Sequence, residues 1–118
     1  MIVGIGIDLC DIERIQKILN KRQSHFFNKL FNNDEIENFI NPANIAGRFA
    51  TKEAFYKACN SLGLFPTWKD ISILNNKNGA PYILIKNEKL QQKLESYKIW
   101  VSISHERKMA ISIVIIEQ

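Results

Sequence analysis

Between Asn41-Pro42 and Gly63 the chain carries no further proline and only the isolated Gly47, too little to break a helix, and this run constrains everything around it. Asparagine followed by proline is a strong helix-start signal, because the proline N–H would be unpaired at the first helical position anyway. A helix begun there runs for about 20 residues, roughly 30 Å, which spans a small domain. Phe49, Ala50, Ala54, Phe55, Ala58 and Cys59 make it unusually apolar and small, as expected of a helix buried on most sides. The rest of the chain must supply the layers that bury it.

Those layers read largely as strands. IVGIGIDL (2–9) alternates Val3, Ile5 and Ile7 with Gly4, Gly6 and Asp8, giving one apolar face and one nearly bare face. DISILNN (70–76) and APYILIK (80–86) form a hairpin through Lys77-Asn78-Gly79. KIWVSISH (98–105) and MAISIVIIE (109–117) alternate well and are joined by Glu106-Arg107-Lys108. Asp11 can cap a helix whose Ile12, Ile15 and Leu19 form a buried stripe. Short helical segments are expected at 25–31, 32–40 and 87–96. The predicted fold class is α+β, a mainly antiparallel sheet packed on one long helix, with residues 1–118 as a single domain.

At 118 residues the chain buries roughly two-thirds of its unfolded surface, so a deep substrate pocket calls for a neighbouring subunit. No stretch approaches the roughly 18 apolar residues of a membrane span, and no basic-then-apolar export signal is visible at the N-terminus. Cys10 and Cys59 lack metal-finger spacing and sit in apolar runs, which points to reduced core thiols in a cytoplasmic protein. The net charge of +4 suits an acidic partner, whether nucleic acid, a phosphorylated small molecule or an acidic protein.

GIGID does not make a dinucleotide site. That fingerprint needs a third glycine at a strand-to-helix turn, whereas Gly4 and Gly6 lie within the strand. Glycines on one strand face instead permit close approach of another backbone or a ligand. Asp8 lies on the same face at the strand's end, where it either starts the turn or stands as a ligand. Glu53 and Lys57, four apart on the long helix, share one face. As a surface pair they are worth about 0.3–0.5 kcal/mol; as chemistry they offer a carboxylate and an ammonium. Arg48 and Lys52 add positive charge nearby, which suits a bound phosphate. Mg²⁺ typically takes one or two carboxylates plus substrate phosphates, and Asp8 with Glu53 can supply that pair if helix and strand meet. Ser104 and His105 end a strand where phosphate oxygens can bind, although a lone histidine is more often structural. Arg14, Lys17 and Lys21 form a basic stripe on the first helix, with Arg22 adjacent; it is either a solvated face or a docking patch for an acidic helix.

Taken together, GIGIDLCDIERI, FNNDEIENF, GRFATKEAFYKA, NGAPYI and VSISHERKMAISIVI resemble, in order and spacing, holo-[acyl-carrier-protein] synthase. This is the small class of 4′-phosphopantetheinyl transferase, and the resemblance spans essentially the whole chain. Two departures sit at the coenzyme rim: SLGLF (61–65) replaces a more glycine-rich turn, and Ala80 replaces a common basic residue.

The resemblance implies transfer of 4′-phosphopantetheine from coenzyme A to a serine hydroxyl of apo acyl carrier protein, in support of fatty acid biosynthesis. It implies Mg²⁺ on Asp8 and Glu53, and Lys57 as the lysine one turn beyond that glutamate. Ser104 and His105 match a phosphate- and coenzyme-contacting element, while Arg48 and Gly79–Pro81 match segments that line the coenzyme. A homotrimer with interfacial active sites is also implied. The alternative from another class is a small basic binding module for nucleic acid or an acidic protein. Such a module wants aromatics interleaved with basic residues on a sheet face, and Trp100 and Tyr82 form no such array. Transferases of broader carrier range resemble two fused copies of this fold, and 118 residues leave room for one.

Overall fold

The long helix organises the computed structural model, which describes residues 1–21 and 24–118. Strand β1 (Ile2–Asp11) leads into helix α1 (Ile12–Asn20), where the Asp11 carboxylate caps by accepting from the Glu13 N–H at 2.9 Å. Helix α2 (Ser24–Leu30) and the single turn α3 (Asn33–Ile36) follow, and then α4 (Pro42–Asn60). Asn41 caps α4 by accepting from the Asn44 N–H at 2.8 Å, with Pro42 as its first residue. The expected hairpin is β2 (Ile71–Asn75) with β3 (Pro81–Ile85), and its turn uses Gly79 at a φ of 85°. Helix α5 (Glu88–Leu94), β4 (Lys98–His105) and β5 (Met109–Glu117) complete the chain. A 3-10 turn at Trp68–Asp70, ahead of β2, was not expected from the sequence pattern.

Among the described residues all pairings are antiparallel, but they form two sheets rather than one: β1-β5-β4 and the separate hairpin β2-β3. The fold is α+β, with α4 lying across the three-stranded sheet and buried on most sides. Ala46, Ala50, Ala54, Ala58 and Cys59 are fully enclosed. Small residues let the backbones approach closely. A Cβ added at Gly4 or Gly6 would run into the carbonyl oxygens of Ala58 and Ala54 on α4. The bare face of β1 is therefore the buried one.

The opposite face of the same sheet is apolar and uncovered. Ile5, Ile7 and Leu9 of β1 and Trp100 of β4 are all more than half exposed, and Ile111 and Ile113 of β5 lie between them. Both cysteines are unpaired and buried. Among the described residues, no helix is long and apolar enough to cross a membrane.

Candidate active site

Close packing of α4 on β1 brings the two predicted carboxylates together. Asp8 follows Gly6 on the face that meets α4, opposite Ser112 of β5. Lys57, one turn beyond Glu53, donates to the Ile7 carbonyl at 2.9 Å and to Asp8 Oδ1 at 3.0 Å. One ammonium N–H is left over. Burial raises the Glu53 carboxyl above its ordinary value and the charge of Asp8 raises it further, while Lys57 and Arg14 pull it back. Glu53, Asp8, Lys57 and Arg14 thus share one electrostatic neighbourhood. Cys10 belongs to it as well: burial pushes its thiol up to about 11, with Arg14 opposing and the carboxylates of Asp8, Asp11 and Glu53 adding. The Glu53–Lys57 spacing is not an ordinary surface pair, since the ammonium bridges to the strand.

The pair suits a hard divalent cation. Two adjacent carboxylates repel one another, as the raised Glu53 shows, and Lys57 is within bonding distance of Asp8. Among the described residues no group of three or more His, Cys, Asp or Glu side chains gathers. A two-carboxylate site of this kind leaves the remaining positions to water and phosphate, which is the habit of Mg²⁺.

A second feature lies on the far side of α4. Arg48, Asn75, Gly79, Pro81, Ile103 and His105 line a groove of about 330 Å³. Arg48 is buried and donates to Asn44 Oδ1 at 3.1 Å, to Asn75 Oδ1 at 2.9 Å and to the Ile73 carbonyl. Two of its five N–H groups remain unspent. At 3.6 residues per turn, Glu53 stands about 140° around the helix from Arg48 and Lys57 about 180°. One chain therefore shows the carboxylates and the groove on different faces of α4.

Two expectations need correction. The Lys52 stem lines a pocket beside Glu53, but its ammonium, almost wholly buried, is 2.8 Å from Glu35 and donates to the carbonyls of Trp68 at 2.6 Å and Ile71 at 2.7 Å. All three of its N–H groups are spent inside the protein. Ser104 and His105 face opposite ways within one chain, because successive strand residues alternate. His105 joins Ile103 at the groove, whereas Ser104 is exposed on the uncovered face with Trp100.

Of the basic stripe, Arg14 and Lys17 are exposed on α1 and Lys21 is exposed at its C-cap. The charge of Arg14 reaches Glu53. Lys17 makes a loose surface pair with Glu13 at 3.7 Å, and Arg22 lies outside the described residues. Sequence reasoning missed an apolar pocket of about 260 Å³ beside Glu53, lined also by Phe55, Tyr56, Pro66, Trp68 and Ile71. The 3-10 turn that closes it left no periodic signal.

Residues 4–114 match the profile of the 4′-phosphopantetheinyl transferase superfamily. The holo-[acyl-carrier-protein] synthase of Alkaliphilus metalliredigens is 41% identical over 95% of this chain and 96% of its own length. That of Fusobacterium nucleatum is 39% identical over 98% and 99%. The crystal structure of the holo-[acyl-carrier-protein] synthase from Neisseria meningitidis superposes with a TM-score of 0.82 at 25% identity, covering 100% of both chains. The Helicobacter pylori holo-[acyl-carrier-protein] synthase, solved in complex with coenzyme A, gives 0.78 at 31% identity over 96% of this chain and 99% of that one. The chain belongs to the 4′-phosphopantetheinyl transferase superfamily and, within it, to the holo-[acyl-carrier-protein] synthases.

Proposed function

We propose that this chain transfers 4′-phosphopantetheine from coenzyme A to a serine of an apo acyl carrier protein, using Asp8, Glu53 and Lys57 at an interface between identical subunits. The observation that carries the reading is the meeting of Asp8, Glu53 and Lys57 where α4 crosses β1. Full-length likeness to the holo-[acyl-carrier-protein] synthases supplies the substrates. The serine oxygen attacks the pantetheine-bearing phosphorus, a new P–O bond forms, and the pyrophosphate P–O bond breaks to release adenosine 3′,5′-bisphosphate.

Glu53 accepts the serine proton. Lys57, held by the Ile7 carbonyl and Asp8, keeps one N–H for the departing phosphate and can give it a proton. Asp8 and Glu53 would hold Mg²⁺, which when bound would supply charge neutralisation at the pyrophosphate. Arg48 with Gly79, Pro81 and His105 offers a polar groove for the nucleotide part of coenzyme A.

The carboxylates and that groove face different directions in one chain, so a complete site joins the carboxylate face of one subunit to the groove of its neighbour. The uncovered sheet face around Ile5, Ile7, Leu9 and Trp100 offers the apolar surface for such an assembly, and a homotrimer closes it. In this reading residues 1–118 act as one domain, and Arg14, Lys17, Lys21 and Arg22 meet the acidic carrier.

The test is mass spectrometry of apo carrier protein incubated with coenzyme A and Mg²⁺. Wild type should add the phosphopantetheine mass. Glu53→Gln and Asp8→Asn should lose about 10²–10⁴-fold in rate with circular dichroism unchanged. Normal turnover in either variant would sink the site assignment.

A further inference from the structure

Next to Glu53 on α4, Lys52 lines the same pocket but turns its ammonium inward to Glu35, in a buried ion pair that the transfer chemistry does not use. The Glu35 side chain is wholly buried. Its two oxygens accept from the Asn32 N–H and the Ile73 N–H, each at 2.9 Å, and from the Lys52 ammonium. Lys52 also holds the carbonyls of Trp68 and Ile71 and lies over the Phe31 ring, 5.3 Å from its centre. Burial lowers the Lys52 pKa, and the Glu35 charge opposes that fall. Such pairs contribute little net stability, because desolvation of both charges offsets their attraction. What they provide is directional bonding.

The bonds converge on two walls. Trp68 and Ile71 line the apolar pocket beside Glu53, and Lys52 ties both of their carbonyls to the helix that carries Glu53. Trp68 is fixed further by stacking on Phe49 at 5.4 Å between ring centres. Ile73 is held from both sides: its N–H donates to Glu35, and its carbonyl accepts from Arg48, which lines the groove on the other face of α4. One buried pair thus sets the pocket wall and, through Ile73, the groove wall against a single helix.

We infer that Glu35 and Lys52 are positioning residues for coenzyme binding, locking the Trp68–Ile73 segment to α4 so that the wall of the pocket beside Glu53 and the wall of the Arg48 groove each keep a fixed place. The inference rests on the function proposed above. Ile73 walls the groove offered to the nucleotide, so the effect falls on the donor substrate and not on the carrier.

The experiment compares wild type with Glu35→Gln, which keeps an acceptor oxygen, and Lys52→Met, which keeps the aliphatic stem. All three are assayed well below their melting temperatures. Coenzyme A binding is followed by calorimetry, and KM is measured separately for coenzyme A and carrier protein. The expected result is a rise of about tenfold or more in Kd and KM for coenzyme A, with KM for the carrier changed by less than about twofold. A purely structural role would lower Tm and leave the folded enzyme's Kd and KM alone, and that outcome would overturn the inference. Equal rises in both KM values, or failure of both variants to fold, would overturn it too. A wild-type chain that neither binds coenzyme A nor modifies the carrier would instead sink the proposed function.

Discussion

Alanine at Gly6 is the sharpest perturbation of the carboxylate site that does not touch it. The added Cβ would fall 2.7 Å from the Ala54 carbonyl carbon and 2.9 Å from the Ala58 nitrogen, both backbone atoms of α4. Non-bonded heavy atoms prefer about 3.5–4.0 Å and the Ala54 carbonyl oxygen would lie nearer still, so helix and strand must separate by more than about 1 Å. No rotamer change relieves a clash with backbone. The cost therefore belongs at the upper end of overpacking, about 3 kcal/mol. The unfolding entropy of a chain this long is about 0.25 kcal/mol per kelvin, which converts that cost into a fall of about 12 °C in Tm. The same displacement pulls Lys57 away from Asp8 and moves Glu53, and a shift of that size costs about 10²-fold in rate. Scanning calorimetry and the carrier-modification assay at low temperature measure the two effects. Gly63→Ala is the control: Gly63 has a φ of 72° and nothing within 4 Å of an added Cβ. It should lose about 1 kcal/mol to the left-handed backbone and keep its turnover. A Gly6→Ala protein that melts within about 2 °C of wild type and turns over normally would refute the close-packing argument.

Three further predictions follow from the site. Asp8→Asn and Arg48→Ala chains, each inactive alone, should regain activity when refolded together, because mixed assemblies recreate an intact carboxylate face opposite an intact groove; no recovery would argue against interfacial sites. In metal-free protein Glu53 binds its proton more tightly folded than unfolded, so its contribution to stability is full below the unfolded value and is lost as pH rises through the folded one. Glu53→Gln should then melt higher than wild type at pH 7 in chelator and equally at pH 4 or below, measured by thermal denaturation; a lower melting point at pH 7 would contradict the raised carboxyl. Arg14→Glu should raise KM for carrier protein with little change for coenzyme A, and an equal rise for both would argue against docking on α1.

The elements of this fold were readable because each obeys a local rule. Asn41-Pro42 marked the start of α4, period-two alternation marked β1, β4 and β5, and Lys77-Asn78-Gly79 marked the hairpin. The site was partly readable. Gly4 and Gly6 announced a close approach, although nothing local said that α4 would be the visitor. Lys52 misled because its spacing beside Arg48 and Glu53 looks like that of a solvent-facing cation, while its anion, Glu35, arrives from a separate one-turn helix. Pairing across such a distance in the chain leaves no periodic trace. The divergence of Ser104 and His105 was legible in strand alternation, but their shared motif obscured it. The split into two sheets falls between β3 and β4, which touch without pairing, and contact of that kind leaves no periodic sign in the chain.

The outward row of Ile5, Ile7 and Leu9 has a bearing on how such an enzyme behaves when scarce. If those side chains meet a neighbour only in the assembled state, subunit binding stabilises the fold by mass action and Tm depends on protein concentration. Specific activity would then fall on dilution as subunits part, with a lag on reconcentration set by encounter rates. A cell making few copies of the chain would obtain disproportionately little modified carrier from them, so the strand that seats Asp8 on one side would act, on its other side, as a threshold on enzyme abundance.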